Sequence, residues 1–162
     1  MKSAWYVLHV KPRTEKKVTE RLKIFRLWHY LPLYKKTTRV QRRKVVRMLP
    51  IFPGYVFARL NPLSRLEVLK TNLVVRVIEV PNQRELIHQL RQVMRVSRNS
   101  QDVRVVEKFN AGDKIRIKHG PFYGIEGFVK SDDGGLQIVV NVDILGQAVA
   151  VKLSPSDVEH TS

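Results

Sequence analysis

The densest chemistry in the sequence is a run of cationic side chains between Lys35 and Arg47. This segment contains seven Lys and Arg residues and no Asp or Glu. Cations on an accessible scaffold can neutralise the phosphates of a nucleic acid, and such binding weakens as salt rises. A charge run can also be only a solvated face, but the lack of balancing acids favours nucleic acid. The predicted contacts are Lys35, Lys36, Arg39, Arg42, Arg43, Lys44 and Arg47.

No arrangement of residues in the sequence supports catalysis. The five histidines are scattered without metal-ligand spacing, and the absence of cysteine excludes disulfides and thiolate metal sites. The stretch from His119 to Gly124 lacks the Gly-Lys-Ser/Thr ending of a phosphate-binding loop. Asp132 and Asp133 precede two glycines, which favours a tight turn over a metal site. We therefore expect no enzyme, no cofactor and no metal.

The positive charge is confined to one part of the chain. Residues 1–105 contain 24 Lys and Arg against 6 Asp and Glu, whereas residues 106–162 contain 6 against 8. Solubility requires no such segregation, so the first part is predicted to bind a polyanion. Nucleic acid is the preferred partner. An anionic membrane surface is the weaker alternative, because no helix combines a wide apolar face with basic flanks.

Location follows from two further features of the sequence. No apolar run approaches the roughly 20 residues of a membrane-spanning helix. The first ten residues lack the layout of a signal peptide, because charge returns at Lys11 and Arg13. A cytoplasmic protein without membrane partners is therefore expected.

The first part of the chain is predicted to be a mixed α and β layer structure. Apolar and β-branched runs predict strands at 5–10, around 38–47, at 55–60 and at 74–80. A first helix is expected after Pro12, because Val18, Leu22 and Phe25 recur at helical spacing. Asn61-Pro62 predicts a further helix over 61–70, and Pro81-Asn82 predicts another after 82.

The last part is predicted to be all β. Seven of the eight glycines lie from Gly112 onward, and no helical periodicity of comparable length is present. Short β-like runs occur at 114–118, 127–130, 136–140 and 148–153. The sequence Asp132-Asp133-Gly134-Gly135 between two of them predicts a hairpin turn. Several short strands at close spacing are typical of a small barrel.

Two motifs resemble those of the NusG family of transcription factors. The first consists of Trp5-Tyr6-Val7 together with Phe52-Pro53-Gly54-Tyr55-Val56, which follows the basic run. The second resembles a KOW motif and consists of Gly112-Asp113-Lys114-Ile115-Arg116-Ile117, Gly120-Pro121-Phe122 and Gly127, continued by Ile144-Leu145-Gly146, Val149 and Val151. A KOW motif alone also occurs in ribosomal proteins. The two motifs together, in this order, are specific to the NusG family.

The resemblance implies an α+β protein with two domains. An amino-terminal α/β sandwich would occupy residues 1–96, a linker 97–106, and a small all-β, SH3-like KOW barrel 107–162. The first domain of the family docks on the clamp helices of RNA polymerase through an aromatic-lined pocket. The matching residues are Trp5, Phe52, Tyr55 and Phe57. They could instead be core residues of the sheet, although aromatic side chains suit docking surfaces.

The resemblance also places the basic segments near nucleic acid. In the family, the region of the first helix lies near the non-template DNA strand, and the basic hairpin could contact that strand or a nascent RNA hairpin. The matching cations of the first helix are Arg13, Lys16, Lys17 and Arg21.

Some positions depart from the family pattern. The partner loop is Ile144, Leu145 and Gly146, through which the family contacts Rho or the ribosome. Leu145 and Gln147 replace an aromatic residue and an arginine there, which puts both contacts in question. Asn72-Leu73 replaces the usual Pro-Gly pair, and no polymerase gate-loop motif is recognisable near Leu66.

These departures indicate a specialised paralogue that resembles RfaH or an operon-specific antiterminator. The expected function is a transcription elongation and antitermination factor that promotes processive transcription of particular operons. The alternative is a ribosome-associated RNA-binding protein that uses its KOW domain and basic hairpin on ribosomal RNA.

Overall fold

A computed structural model of the chain describes residues 2–99, 103–112, 114–132 and 135–153. The chain divides into two compact units, one of residues 1–33 and 50–83 and the other of residues 34–49 and 84–162. The elements up to the third helix are β1 Ala4–Val10, α1 Glu15–Ile24, β2 His29–Tyr30, β3 Leu33–Val40, β4 Arg43–Pro50, β5 Tyr55–Leu60, α2 Pro62–Lys70, β6 Val74–Glu79 and α3 Gln83–Asn99. They are followed by β7 Arg104–Glu107, β8 Lys114–Arg116, β9 Glu126–Asp132, β10 Gly135–Val142, a short 3-10 helix Asp143–Leu145 and β11 Gln147–Lys152.

The first unit is built on a four-stranded antiparallel sheet in the order β2-β5-β1-β6. One face of this sheet forms a core with α1, because the buried Leu8 and Val56 belong to the same cluster as Val18 and Leu22 of the helix. The predicted helical spacing is confirmed, with Phe25 half-buried against that cluster. Burial of each such aliphatic side chain contributes about 1.5–3 kcal/mol. Leu22→Ala would therefore detach α1 from the sheet more readily than any change on its exposed side.

The second helix begins as the sequence predicts. The backbone N–H of Ser64 donates to Asn61 Oδ1 at 2.9 Å, and the backbone N–H of Asn61 donates to Ser64 Oγ at 2.8 Å. This reciprocal pair is a capping box, which satisfies amide groups that the first turn leaves unpaired. Pro62 at the first helical position has no N–H to satisfy.

The carboxy-terminal part forms a five-stranded antiparallel sheet in the order β7-β11-β10-β9-β8, called here the C-terminal sheet. The mixed α and β fold with an all-β carboxy-terminal part is thus confirmed. Two parts of the predicted linker have regular structure: residues 97–99 continue α3 to Asn99, and residues 104–106 belong to β7, which begins at Arg104. Residues 100–102 lie outside the described residues, as do Asp133 and Gly134 of the predicted turn. The boundaries at 96 and 107 stay predictions.

Gly127 shows why β9 needs a residue without a side chain. A Cβ atom at this position would lie 2.5 Å from the carbonyl oxygen of Val139 and 3.0 Å from Ile138 Cγ1. Val139 and Ile138 belong to β10, which pairs with β9. A larger residue would therefore push the two strands apart at the centre of the C-terminal sheet.

Candidate functional site

The turn that leads into β5 positions the predicted docking aromatics. The backbone N–H of Tyr55 donates to the carbonyl of Phe52 at 3.2 Å, and Gly54 has a φ of +89° between them. Residues that carry a side chain rarely adopt this backbone conformation, so glycine is the residue that fits. The Gly54 carbonyl accepts a hydrogen bond from Val10 N–H at 2.8 Å, which ties the turn to β1.

Strand register brings three of the four predicted aromatics to one face of the first sheet. Tyr55 lies opposite His9, Phe57 opposite Val7, and Arg59 opposite Trp5. Directly paired residues share a face and alternate residues return to it. This face is opposite to the one that carries Leu8 and Val56 against α1. It is called here the aromatic face.

The predicted docking aromatics differ in burial. Phe57 is completely buried and Phe52 is 1% exposed, so both are core residues of the folded chain. Tyr55 is partly exposed and stacks on the His9 ring, with centroids 5.3 Å apart.

Trp5 is also partly exposed. Its backbone is held at both ends by Gln83, whose Oε1 accepts from Trp5 N–H at 2.7 Å and whose Nε2 donates to the Trp5 carbonyl at 2.8 Å. Of the four predicted residues, therefore, Tyr55 and Trp5 present aromatic surface that a partner can touch.

The cationic run folds into an isolated ribbon of two strands, β3 and β4. Two residues connect them, and both have positive φ, +49° at Gln41 and +66° at Arg42. This is the dihedral pattern of a type I′ turn, which matches the twist of a hairpin even without the usual Asn-Gly. All seven predicted cations are exposed. Because neighbouring residues point to opposite faces, Lys35 with Lys36 and Arg43 with Lys44 charge both sides of the ribbon.

The four cations predicted near the first helix are also exposed. Lys16, Lys17 and Arg21 lie on α1 beside its buried residues Val18 and Leu22. Arg13 precedes the helix with a φ of +61°. They form a second basic surface within the first unit.

The predicted partner loop follows β10. Ile144 and Leu145 are half-buried in the 3-10 helix, and Gly146 ends it with a φ of +64°. Burial works to raise the pKa of the neighbouring Asp143, but hydrogen bonds from Glu85, Gln89 and Lys108 outweigh it and lower that pKa. Lys108 Nζ lies 3.1 Å from Asp143 Oδ1. The loop is thus held by charge as well as by backbone geometry.

Sequence reasoning missed several exposed groups. Trp28 is 75% exposed, and Ile24, four residues earlier, is also largely exposed. Tyr123 is 71% exposed at the edge of the C-terminal sheet, and α3 carries Arg91 and Arg95 on one side. The spacing of the arginines, four residues apart on a predicted helix, was the available signal.

The exposed surfaces described above carry aromatic and cationic side chains. Within the described ranges no three His, Asp or Glu side chains gather as metal ligands. No helix among the described residues is long and apolar enough to cross a membrane. The class defined by the fold is a mixed α/β protein with an all-β carboxy-terminal sheet.

The family follows from comparison with known proteins. The family model for NusG, transcription termination factor nusG, matches residues 3–107, which is more than half of the chain. The chain belongs to the NusG family of transcription factors. No curated protein matches it significantly.

Solved structures agree with the fold. A structure of NusG from Thermotoga maritima, solved to study domain interaction, is 23% identical with a TM-score of 0.54, covering 97% of this chain and 96% of that one. At this identity the likeness shows the fold alone. A weaker match is to a structure of the MjSpt4:Spt5 complex, which is 16% identical with a TM-score of 0.30. It covers 92% of this chain and 99% of that one. It carries no argument about function.

Proposed function

We propose that this NusG-family chain is a transcription elongation and antitermination factor that docks on RNA polymerase. The docking surface is the aromatic face of the first sheet, and the partner is the pair of clamp helices that the family resemblance implies. Tyr55 and Trp5 are the contacts. Phe57 and Phe52 support that surface from within the core, because they have almost no solvent-accessible area to offer.

The partial exposure of Tyr55 beside His9 carries this proposal. An aromatic pair with an open edge gives a large contact area and loses little side-chain entropy on binding. The backbone beneath it is fixed by the Gly54–Val10 hydrogen bond. A partner would therefore meet a preorganised surface, which lowers the cost of binding.

The basic ribbon is the proposed contact to nucleic acid in the transcription complex. An isolated two-stranded hairpin has no core of its own, so it can adapt to a charged ligand. Cations on both of its faces suit a groove or a strand that passes on either side, such as the non-template strand or a nascent RNA hairpin. The exposed cations Arg13, Lys16, Lys17 and Arg21 extend the same electrostatic attraction.

A specialised role, similar to that of RfaH, is part of the proposal. Leu145 and Gln147 stand where family members that bind Rho carry an aromatic residue and an arginine. Leu145 is also half-buried, which reduces the apolar surface available to a partner. Rho is therefore not among the proposed partners. A ribosomal contact through Ile144, Leu145 and Gly146 belongs to the same proposal, as does a cytoplasmic location.

The test is affinity purification of the tagged full chain from host lysate, followed by identification of the bound complexes. Tyr55→Ala should weaken polymerase binding by about 30-fold or more, the effect of losing a hot-spot side chain. Leu63→Ala is the control, since it removes a largely exposed side chain of α2, whose Val68 packs in the core on the opposite side of the sheet. It should leave polymerase recovery unchanged.

Two results would contradict the proposal. One is equal recovery of polymerase by the wild type and by a Tyr55→Ala variant with native circular dichroism. The other is recovery of ribosomes without polymerase, which would support the ribosome-associated alternative. The two variants share one substitution type, so a general loss of solubility would appear in both.

A further inference from the structure

A cleft of about 680 Å³ opens in the second unit between α3 and the C-terminal sheet. Its volume falls within the roughly 300–1,000 Å³ of ordinary ligand sites. The residues that matter for its chemistry are Arg and Lys side chains on both walls, two histidines, one paired acid and one exposed ring. They are His88, Arg91, Arg95, Arg116, Lys118, His119, Tyr123 and Glu126.

The α3 wall is a single helical face. His88, Arg91 and Arg95 recur at three- and four-residue spacing, which stacks them along one side of the helix. Buried glutamines hold this wall against the sheet. Gln92 Oε1 accepts from Glu126 N–H at 3.0 Å, and Gln89 Oε1 accepts from Asp143 N–H at 2.9 Å.

Glu126 does not neutralise the cleft. Among the described residues that line it, Glu126 is the one acid, and its carboxylate is already engaged. Arg116 Nε donates to Glu126 Oε1 at 2.9 Å, and His88 Nε2 lies 3.1 Å from Oε2. The hydrogen bond from Arg116 lowers the pKa of Glu126, so the pair stays ionic at neutral pH. Arg91 and Lys118 therefore face the opening without an acid among the other described lining residues, and Arg95 lines the same wall as Arg91.

Tyr123 adds a flat aromatic surface at the rim. It lies in a turn where its N–H donates to the Gly120 carbonyl at 3.2 Å and Gly124 N–H donates to the Ile117 carbonyl at 2.7 Å. A single exposed aromatic is ordinary on a protein surface. Here, however, the ring borders a cationic cleft, and aromatic rings beside cations are the arrangement on which single-stranded bases stack.

We propose that this cleft binds a short segment of single-stranded nucleic acid. Arg91, Arg95 and Lys118 hold the phosphates, since the guanidinium fork matches phosphate oxygens. Tyr123 stacks on a base. An acidic peptide would use the cations but not the ring. The site shares no residue with the basic ribbon or with the aromatic face, so it stands or falls independently of polymerase docking.

The test uses the full chain carrying Arg42→Ala, Arg43→Ala and Lys44→Ala, which silences the tip of the ribbon. Binding of a short oligothymidine is measured by fluorescence anisotropy over a salt series. Arg91→Ala with Arg95→Ala should reduce the slope of log affinity against log salt by about 1.4, or 0.7 for each single-strand phosphate. The control is Arg104→Ala with Lys152→Ala, which removes two cations of the same unit outside the cleft. It should leave the slope unchanged.

The ring is tested separately from the charge. Tyr123→Ala should weaken oligothymidine binding by about fivefold or more, the lower end of the stacking range, whereas Tyr123→Phe should retain it. Polyphosphate, which has charge but no bases, should bind less tightly than the oligonucleotide and should not respond to Tyr123→Ala. A bromouracil oligonucleotide photo-crosslinked to the chain without any cleft substitution should label Tyr123. This test does not depend on whether a cleft variant folds.

Four outcomes would overturn the proposal. Equal loss of slope in the two double variants would show only diffuse attraction to a basic protein. Unchanged affinity in a folded Tyr123→Ala, or polyphosphate binding as tight as that of oligothymidine, would show an anion patch rather than a single-strand site. A crosslink that maps only to peptides outside 88–95 and 116–126 would exclude the cleft directly.

Discussion

Burial predicts that Phe57 and Tyr55, two aromatics on one strand face, respond differently to truncation. Phe57 has no exposed surface, so Phe57→Ala should cost about 3–5 kcal/mol through lost transfer energy and the cavity left behind. Tyr55→Ala removes a partly exposed ring and its stacking on His9, which is worth about 0.5–1.5 kcal/mol. Domains are stable by only about 5–15 kcal/mol. The first substitution thus threatens the fold, whereas the second removes a surface.

The assay follows from the positions of the two tryptophans. Trp5 and Trp28 are the only ones in the chain, and both belong to the first unit. Their fluorescence in a urea titration therefore reports unfolding of that unit alone. With a denaturant slope of roughly 2 kcal/mol per molar urea, a loss of about 4 kcal/mol moves the midpoint by about 2 M. The loss for Tyr55→Ala, about 1 kcal/mol, moves it by about 0.5 M.

Phe57→Leu is the companion variant, because it keeps an apolar side chain and should give a smaller shift in the same direction. The reasoning would be refuted if Phe57→Ala left the urea midpoint unchanged while polymerase binding disappeared. Phe57 would then be exposed in solution and would itself be a docking residue.

Two further predictions concern charge. If the ribbon neutralises phosphates, replacing Arg42, Arg43 and Lys44 at its tip by Ala should lower the slope of log affinity against log salt by about 2–3 on duplex DNA and leave polymerase recovery intact. An unchanged slope on duplex DNA, single strand and RNA hairpin alike would make the ribbon a solvated face. Glu126→Gln should destabilise the chain most near neutral pH. Because the Arg116 hydrogen bond lowers the pKa of Glu126 in the fold, its contribution is present above the unfolded pKa of about 4.3 and is lost as pH falls through the folded value. Thermal melts by circular dichroism from pH 7 to 3 measure this, and a difference from wild type that does not shrink with acid would contradict it.

Local chemistry predicted much of the fold. The start of α2 at Asn61-Pro62 and the span of β5 follow from capping and from apolar alternation, which act over a few residues. Two short strands that precede the KOW-like motif, β2 and β7, were not predicted. His29–Tyr30 is too short to show a period, and Arg104–Glu107 lies in a stretch that composition marks as linker. Both are extended because of the strands they pair with, β5 and β11.

The sequence by itself determined which residues share a face and where charge accumulates. Period two places Tyr55 and Phe57 together, and the unbalanced cations of the ribbon need no fold to be recognised. Only the tertiary structure decided how far each side chain is buried. Tyr55 is partly exposed and Phe57 is buried, although both are large aromatic residues two positions apart. The tertiary structure also decided that Arg91 and Arg95 of α3 meet Lys118 and Tyr123 across a cleft. Burial and such meetings depend on contacts between distant segments, which no local pattern encodes.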